Sequence, residues 1–529
     1  MCDCGFSRRF GIVLALLFLN TYPTQAEEPA PSGSQFFASQ GGELLDLGAL
    51  SPDAFLRILI ARSVEVRYSK LSADVARHLR QGESAQYEPT AFLGIREEGR
   101  NRQRTPDERL QNTFTTGTAI LDEKAHSDEI GLRSKLPTGA EVSVSYKAAG
   151  KKNNLISQTS TFDTEYTTLL NLTLKQPLLR NAGRTITETD QRIAILEHKI
   201  AVQQLIQQAQ KSCVDGLTLY WQLHRAQESV NLRKEAIAST EALIEDTNAR
   251  ISAGRVPAGA LLELRGVMLN RQAELTRSQQ ALREAQSKVA TALNVEWRES
   301  RPTYTSPKLR TVDTSTTSNM PDLEELLNVW SPYRIALLKQ QQAQIRLNFA
   351  KNQTLPLVDL VMSYGGTGFS NKLSDASKVS ADGAYPDWYV GVNFEVPIGG
   401  NKKAQQQYLA QHTRLTQSEL EVQAIRTSLS NDMFIRYGDL QNAIAVMELS
   451  RQEIQLRESI FNNERQRVQL GSGSLGSLIQ KQVDLIESRQ RLLENQVRYE
   501  LALATWQYTS GSLLIVNGIE ISEQTTLDE

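Results

Sequence analysis

Apolar and polar positions alternate from Leu170 to Lys175: Leu170, Leu172 and Leu174 are apolar, and Asn171, Thr173 and Lys175 between them are polar. A period of two predicts a β-strand with one apolar and one polar face. Pro177 ends it. From Thr185 the period becomes helical and holds to about Ser252. A turn follows at Ala253–Gly259, then a second helix to about Leu293. Ile195, Val202, Ala209, Gly216, Leu223, Val230, Ile237, Ile244 and Ile251 lie seven apart, as do Leu261, Met268, Leu275, Leu282 and Val289. A sustained heptad predicts left-handed coiled-coil packing. With no proline between Pro177 and Pro257, the outgoing helix spans on the order of 100 Å.

The plan occurs twice. Val390, Val392, Phe394 and Val396 alternate with Gly391, Asn393 and Glu395, and Pro397 ends that strand. From about Lys402 a heptad runs through Met433, Leu440, Met447, Ile454, Phe461 and Val468 to the turn Gly471–Ser474. Leu478, Leu485, Leu492, Tyr499 and Trp506 carry a helix back. Aligning Pro177 with Pro397 pairs Leu174 with Phe394, Thr173 with Asn393 and Lys175 with Glu395. The repeats are 50–300 and 321–514, joined by a Thr/Ser/Pro-rich linker at 301–320 and followed by a tail at 515–529. Within each repeat a shorter helix, Ser51 to about Gln81 and Asp322 to Gln353, precedes the strands. Val358–Tyr364 alternates as a strand, and Gly365–Asp387 reads as a polar loop. Two further alternating segments, Glu129–Leu136 and Glu141–Lys147 around Pro137-Thr138-Gly139, predict a β-hairpin.

Arg8 and Arg9 precede an apolar core, Ile12–Leu19, with a cleavage site after Ala26. Residues 1–26 therefore read as a secretory signal, since that core is too short to cross a bilayer. Residues 27–49, rich in Pro, Ser, Gly and Gln, read as a disordered lead-in. Cys2 and Cys4 leave with the signal, so Cys213 has no partner for an internal disulfide and reads as a small apolar residue. The 58 basic and 60 acidic side chains balance, which argues against nucleic acid as a partner. The five histidines show no ligand spacing and no nucleophile motif occurs, so neither a metal, a cofactor nor an enzyme is expected.

No later window has the apolar length of a membrane helix, so any membrane contact is through strands. Two-faced strands in an exported chain suit either a soluble sheet or a membrane barrel. Helices this long run far past the strands and cannot cover them. Four to six strands cannot close a barrel, and lipid does not tolerate an open edge. Strands in a membrane thus require several chains to share one barrel, with their helices forming a second cylinder.

The segment Leu172–Leu179, the following Gly183-Arg184, the turn at Ala253–Pro257 and the duplication together resemble the TolC-like outer-membrane efflux and secretion proteins. The resemblance implies a mixed α+β membrane protein: a homotrimer whose barrel, 12-stranded or larger, sits in outer-membrane lipid of a Gram-negative cell and continues as a coiled-coil α-barrel across the periplasm. It implies an exit duct for a tripartite efflux or type I secretion system. Its partners would be a periplasmic adaptor and an inner-membrane transporter of RND or ABC type. Thr173, Lys175, Asn393 and Glu395 would line the lumen, and Leu172, Leu174, Val392 and Phe394 would face lipid. Gly254, Arg255, Val256, Pro257, Gly471, Ser472, Gly473 and Ser474 would form the adaptor-docking tips. The family's acidic constriction would fall on Ser477 and Gln480, neither acidic here. Glu263 and Asp484 are the candidate substitutes, against a plain reading as solvated carboxylates. The family uses four strands per chain, so the reading favours Glu129–Lys147 as an extension of an extracellular loop over extra barrel strands. The alternative function is a periplasmic coiled-coil scaffold or adaptor without a pore.

Overall fold

The computed structural model describes residues 51–110, 118–155, 163–254, 256–295 and 322–519. The signal, the lead-in, the 301–320 linker, Arg255 and residues 520–529 lie outside the described residues.

The first half opens with helices α1 (Pro52–Arg62) and α2 (Val64–Ser84), the second capped by Ser63. Strand β1 (Thr90–Gln103), helix α3 (Pro106–Leu110), and strands β2 (Ile120–Lys135), β3 (Glu141–Asn153) and β4 (Glu165–Pro177) follow. Then come a short helix α4 (Arg184–Thr187), the 64-residue α5 (Thr189–Ser252) and the 34-residue α6 (Gly259–Ala292). The second half repeats the scheme with α7 (Leu323–Val329), α8 (Ser331–Gln353), β5 (Leu357–Ser370), α9 (Leu373–Ala381) and β6 (Pro386–Glu395). It closes with the 68-residue α10 (Lys402–Gln469), the 35-residue α11 (Leu475–Thr509) and α12 (Leu513–Val516).

The six strands among the described residues form one antiparallel sheet in chain order, β1 to β6. This corrects the expectation for Glu129–Lys147. The segment is no loop extension: β2 pairs with β1 from Arg133↔Thr90 to Ile120↔Gln103, and β3 pairs with β4 from Glu141↔Lys175 to Lys151↔Glu165. Its tight turn lies at the helix-side end of the sheet. There the Gly183 N–H donates to the Thr138 carbonyl (3.0 Å), and Gly139, at φ +87, presses on the Asn181 carbonyl where a side chain would clash. A twelve-stranded barrel from three chains needs four strands per chain, and this sheet has six. The polar reading of Gly365–Asp387 is corrected too. Strand β5 continues to Ser370, and α9 then folds back onto the sheet over Gly366 and Gly368, whose missing side chains leave room for the Ser380 and Ala376 carbonyls.

The helices form a layer four wide. Helices α2 and α6 pack end to end along α5, and α8 and α11 pack along its other side. Helix α10 packs outside α8 and α11. The heptad glycine of α5, Gly216, is where Leu59 of α1 seats against the helix. Around it lies the larger core, with Phe55, Leu56, Leu217, Tyr220, Trp221, Val289, Val497 and Leu513. A second core repeats the arrangement with Leu326, Met433, Leu440, Met447, Tyr499 and Trp506. Phe55 meets Tyr220 at 5.4 Å between ring centroids, and Tyr437 meets Trp506 at the same separation. Cys213 is buried in the first core, and burial pushes its thiol up to about 12, so it packs rather than reacts. No helix among the described residues is long and apolar enough to cross a membrane.

Candidate functional site

The pairing register sorts the sheet into two faces. Cross-strand rows such as Leu132–Val144–Leu172–Tyr364–Trp388 and Val142–Leu174–Met362–Val390 are apolar throughout. Leu132, Val144, Leu172, Tyr364, Trp388, Val390, Val392 and Phe394 are all exposed. The alternate rows are mostly polar or small, for example Arg133–Ser143–Thr173–Ser363 and Gly131–Ser145–Asn171–Gly365, with Tyr389 and Phe92 at their ends. An exposed apolar face and a polar face on one sheet are what a membrane barrel wall presents to lipid and to water.

The four expected lumen residues share the polar face. Thr173 accepts from the Asn171 amide (3.0 Å), and Ser363 donates to Asn171 Oδ1 (2.7 Å). Lys175 pairs with Asp359 at 3.1 Å, a carboxylate only 2% exposed. Asn393 lies opposite Asp359 and Glu395 opposite Leu357, both exposed. Asp359 was not singled out from the sequence. Its place in the alternation assigned the face, but the ion pair depends on the register between β4 and β5, which joins the two halves.

Helix α9 rests on the apolar face at the end of the sheet away from the helices. Thr168 Oγ1 donates to the Ala376 carbonyl (2.8 Å), and Tyr146 Oη is 2.7 Å from Ser377 Oγ. Where the strands become helices, the halves use the same device. Asn181 and Gly183 adopt positive φ before α4, and Gly399, Gly400 and Asn401 do so before α10. The Asn181 N–H donates to Asn352 Oδ1 (2.8 Å), and Asn401 Nδ2 to the Gln353 carbonyl (3.2 Å), so α8 ties both junctions together.

At the far end the two helical turns lie side by side. Gly254 and Gly471 turn the chain at φ +69 and +78, and Pro257 accepts from the Ala260 N–H. Ser474 caps α11 by accepting from the Ser477 N–H (3.1 Å), while Ser472 and Gly473 donate to the Arg467 carbonyl. Arg250 of α5 donates to the Val468 carbonyl of α10 (2.9 Å), which joins the two hairpins. Of the expected entrance residues, Glu263 is exposed. Asp484 is engaged within its own hairpin, with Arg457 at 3.4 Å and a bond from Gln480 Nε2 at 2.9 Å. A stronger tie was missed in the sequence. The buried Arg271 guanidinium of α6 donates to the Ala236 carbonyl and Thr240 of α5 and to Gln482 of α11 (3.1 Å). Burial pulls its pKa below the usual arginine value. An arginine inside a heptad reads as surface until three helices are seen to converge on it.

The layer also has two unfinished edges. On α2, the exposed Val64, Tyr68, Leu71, Val75 and Leu79 recur at three- and four-residue spacing, beneath the free edge of β1. On α10, Leu409, Leu420, Phe434, Ile435, Leu449 and Leu456 are exposed, beneath the free edge of β6.

No protein-family model matches the sequence, and no curated protein does. Solved structures do match. The outer-membrane channel OprN aligns over 87% of this chain and 90% of its own, at TM-score 0.62 and 12% identity. The open state of the Neisseria gonorrhoeae MtrE outer membrane channel aligns over 87% and 89%, at 0.59 and 14%. The outer membrane protein VceC from Vibrio cholerae aligns over 87% and 96%, at 0.59 and 12%. The chain has the TolC-like channel fold. At such identities the likeness lies in the arrangement of strands and helices, and the residues that line the wall and tip are this chain's own.

Proposed function

We propose that the chain is the exit duct of an export system in the outer membrane of a Gram-negative cell. Its sheet lies in the outer-membrane lipid and its helices extend into the periplasm. The observation that carries this reading is the two-faced sheet: rows of exposed leucine, valine, tyrosine and tryptophan on one side and serine, threonine and asparagine on the other. Water gives no reason to expose that apolar face, and lipid does. A scaffold without a pore has no use for such a wall.

One chain cannot be the duct. Both sheet edges are open, and an open edge in hydrocarbon leaves backbone groups unpaired at several kcal/mol each. The stripes on α2 and α10 lie under those same edges, so one operation that pairs β6 with β1 of the next copy also buries α10 against α2. The resemblance to the TolC-like family, which implies a homotrimer, favours three copies. Thr173, Lys175, Asn393 and Glu395 then face the lumen. The tips at Gly254–Pro257 and Gly471–Ser474 face the inner membrane, where a periplasmic adaptor and an inner-membrane transporter of RND or ABC type would deliver cargo for efflux or type I secretion. The role is transport rather than catalysis.

The test is insertion of the purified full chain into planar bilayers. Discrete channels, together with recovery of the protein in the outer-membrane fraction, are expected. Absence of channels and recovery in the soluble periplasm would return the reading to a scaffold.

A further inference from the structure

We infer that all six strands of each chain enter the barrel wall, so that three copies close an 18-stranded barrel with a bore wide enough for polypeptide-sized cargo. The inference rests on the duct reading above and adds the width of its exit.

The added pair is β2 and β3. Both run nearly the length of the neighbours they pair with, and their turn seats on the β4 junction through Thr138, Gly139 and Gly183. A hairpin hanging from an extracellular loop would end at the opposite side of the sheet. From Ile130 to Arg133 and from Val142 to Tyr146 its residues also obey the facing rule of the rest of the wall. Leu132, Val142 and Val144 continue the apolar rows, and Arg133, Ser143 and Ser145 continue the polar ones. Phe92 of β1 lies over Gly131 on the polar face, packing the pair into the sheet.

The widths agree as well. Four helices side by side at about 9 Å occupy roughly 36 Å of circumference per chain. Six strands at ~4.8 Å, tilted by about 40°, occupy roughly 38 Å. Four strands would occupy only roughly 25 Å, and the wall would have to narrow where helix gives way to strand. With six, strand wall and helix wall meet at equal width. Three copies then give a backbone diameter of roughly 36 Å, or a wetted bore of about 25 Å after side chains, against about 14 Å for twelve strands. A single helix, ~10–12 Å across, fits the narrower bore, and a packed pair of helices fits only the wider one.

The test places single cysteines on β3 of the full chain, where the native Cys213 is buried and silent. Ser143→Cys and Ser145→Cys should react with a charged, membrane-impermeant thiol reagent and lower the unitary current in one step per chain. Val144→Cys, on the lipid side, should stay unmodified. A neutral polymer about 20 Å across, added on the extracellular side, should enter and lower the current further. Val144→Cys reacting as fast as Ser143→Cys, with the current unchanged, would place the hairpin outside the wall and overturn the inference while leaving the channel intact. A native mass of two chains gives twelve strands and overturns the count. No channels at all would instead remove the duct reading itself.

Discussion

Helices α5 and α10 are counterparts, 64 and 68 residues long, each following a strand, a positive-φ junction and the same heptad. Their surroundings differ. Helix α5 has packed neighbours on both sides and buries Val202, Ala209, Gly216, Leu223 and Val230 along its heptad. Helix α10 has neighbours on one side only and leaves Leu409, Leu420, Ile435, Leu449 and Leu456 exposed. Duplication gave both helices the means to pack on two sides, and one chain satisfies only one of them. On the proposed reading, the unsatisfied side of α10 is where a second copy packs.

The largest effect should come from charging the matching edge. Val75→Glu with Leu79→Glu on α2 buries carboxylates against α10 of the neighbour, so assembly and channel activity should both be lost. Native mass spectrometry should then find single chains. Persistence of the assembly would show that α2 is not the partner of α10. The packed side offers the complementary test. Gly216→Leu forces Leu59 out of its seat on α5 and should cost about 1–3 kcal/mol, read as a lower unfolding temperature. A side chain of that size at Gly438, an α10 glycine with open space around it, should cost far less in the isolated chain. Equal effects would mean that the two helices are equally confined.

Arg271 ties α6, α5 and α11, and among the described residues nothing comparable ties the tip of α10 to its far side. Arg271→Ala should leave Gln482 Oε1 short of a donor, at about 1–3 kcal/mol, with faster proteolysis near both tips. The histidines extend the contrast. Burial against Trp221 on α5 holds His224 below the ordinary histidine value of 6.5, whereas His412 on α10 is exposed. Above pH 6.5 the His224 ring is neutral whether folded or not. As pH falls below 6.5 the unfolded chain takes up a proton that the folded chain refuses, so stability declines through that window. His224→Gln should flatten this acid limb. The smallest effect is expected at Glu263. Glu263→Ala should change stability by no more than about 0.5 kcal/mol, while a change in cation block of the channel would place its carboxylate at the entrance.

The repeated plan was legible because its signals are local. Alternation at Leu170–Lys175 and Val390–Val396, heptads from Ile195 and Met433, and glycines at 254 and 471 each depend on a few neighbouring residues, and each appears in the structure as an element. Helix α9 was hidden because its nine residues are short and polar, and its fit depends on Gly366 and Gly368 in β5. The Lys175–Asp359 pair and the Arg271 tie were hidden because each joins segments far apart in the chain.

The sequence by itself therefore determined the type of each long helix, the two faces of strands β2 to β6, and the positions of the turns, but not strand β1. Periodicity carries that information, because a side chain's direction repeats every two residues in a strand and every 3.6 in a helix. Only the tertiary structure decided how many strands share one sheet, and that Glu129–Lys147 belongs among them. A hairpin has the same alternation whether it hangs from a loop or completes a wall. The outcome turns on pairing with β1 and β4 and on the seat its turn finds at Gly183, and no local pattern records either.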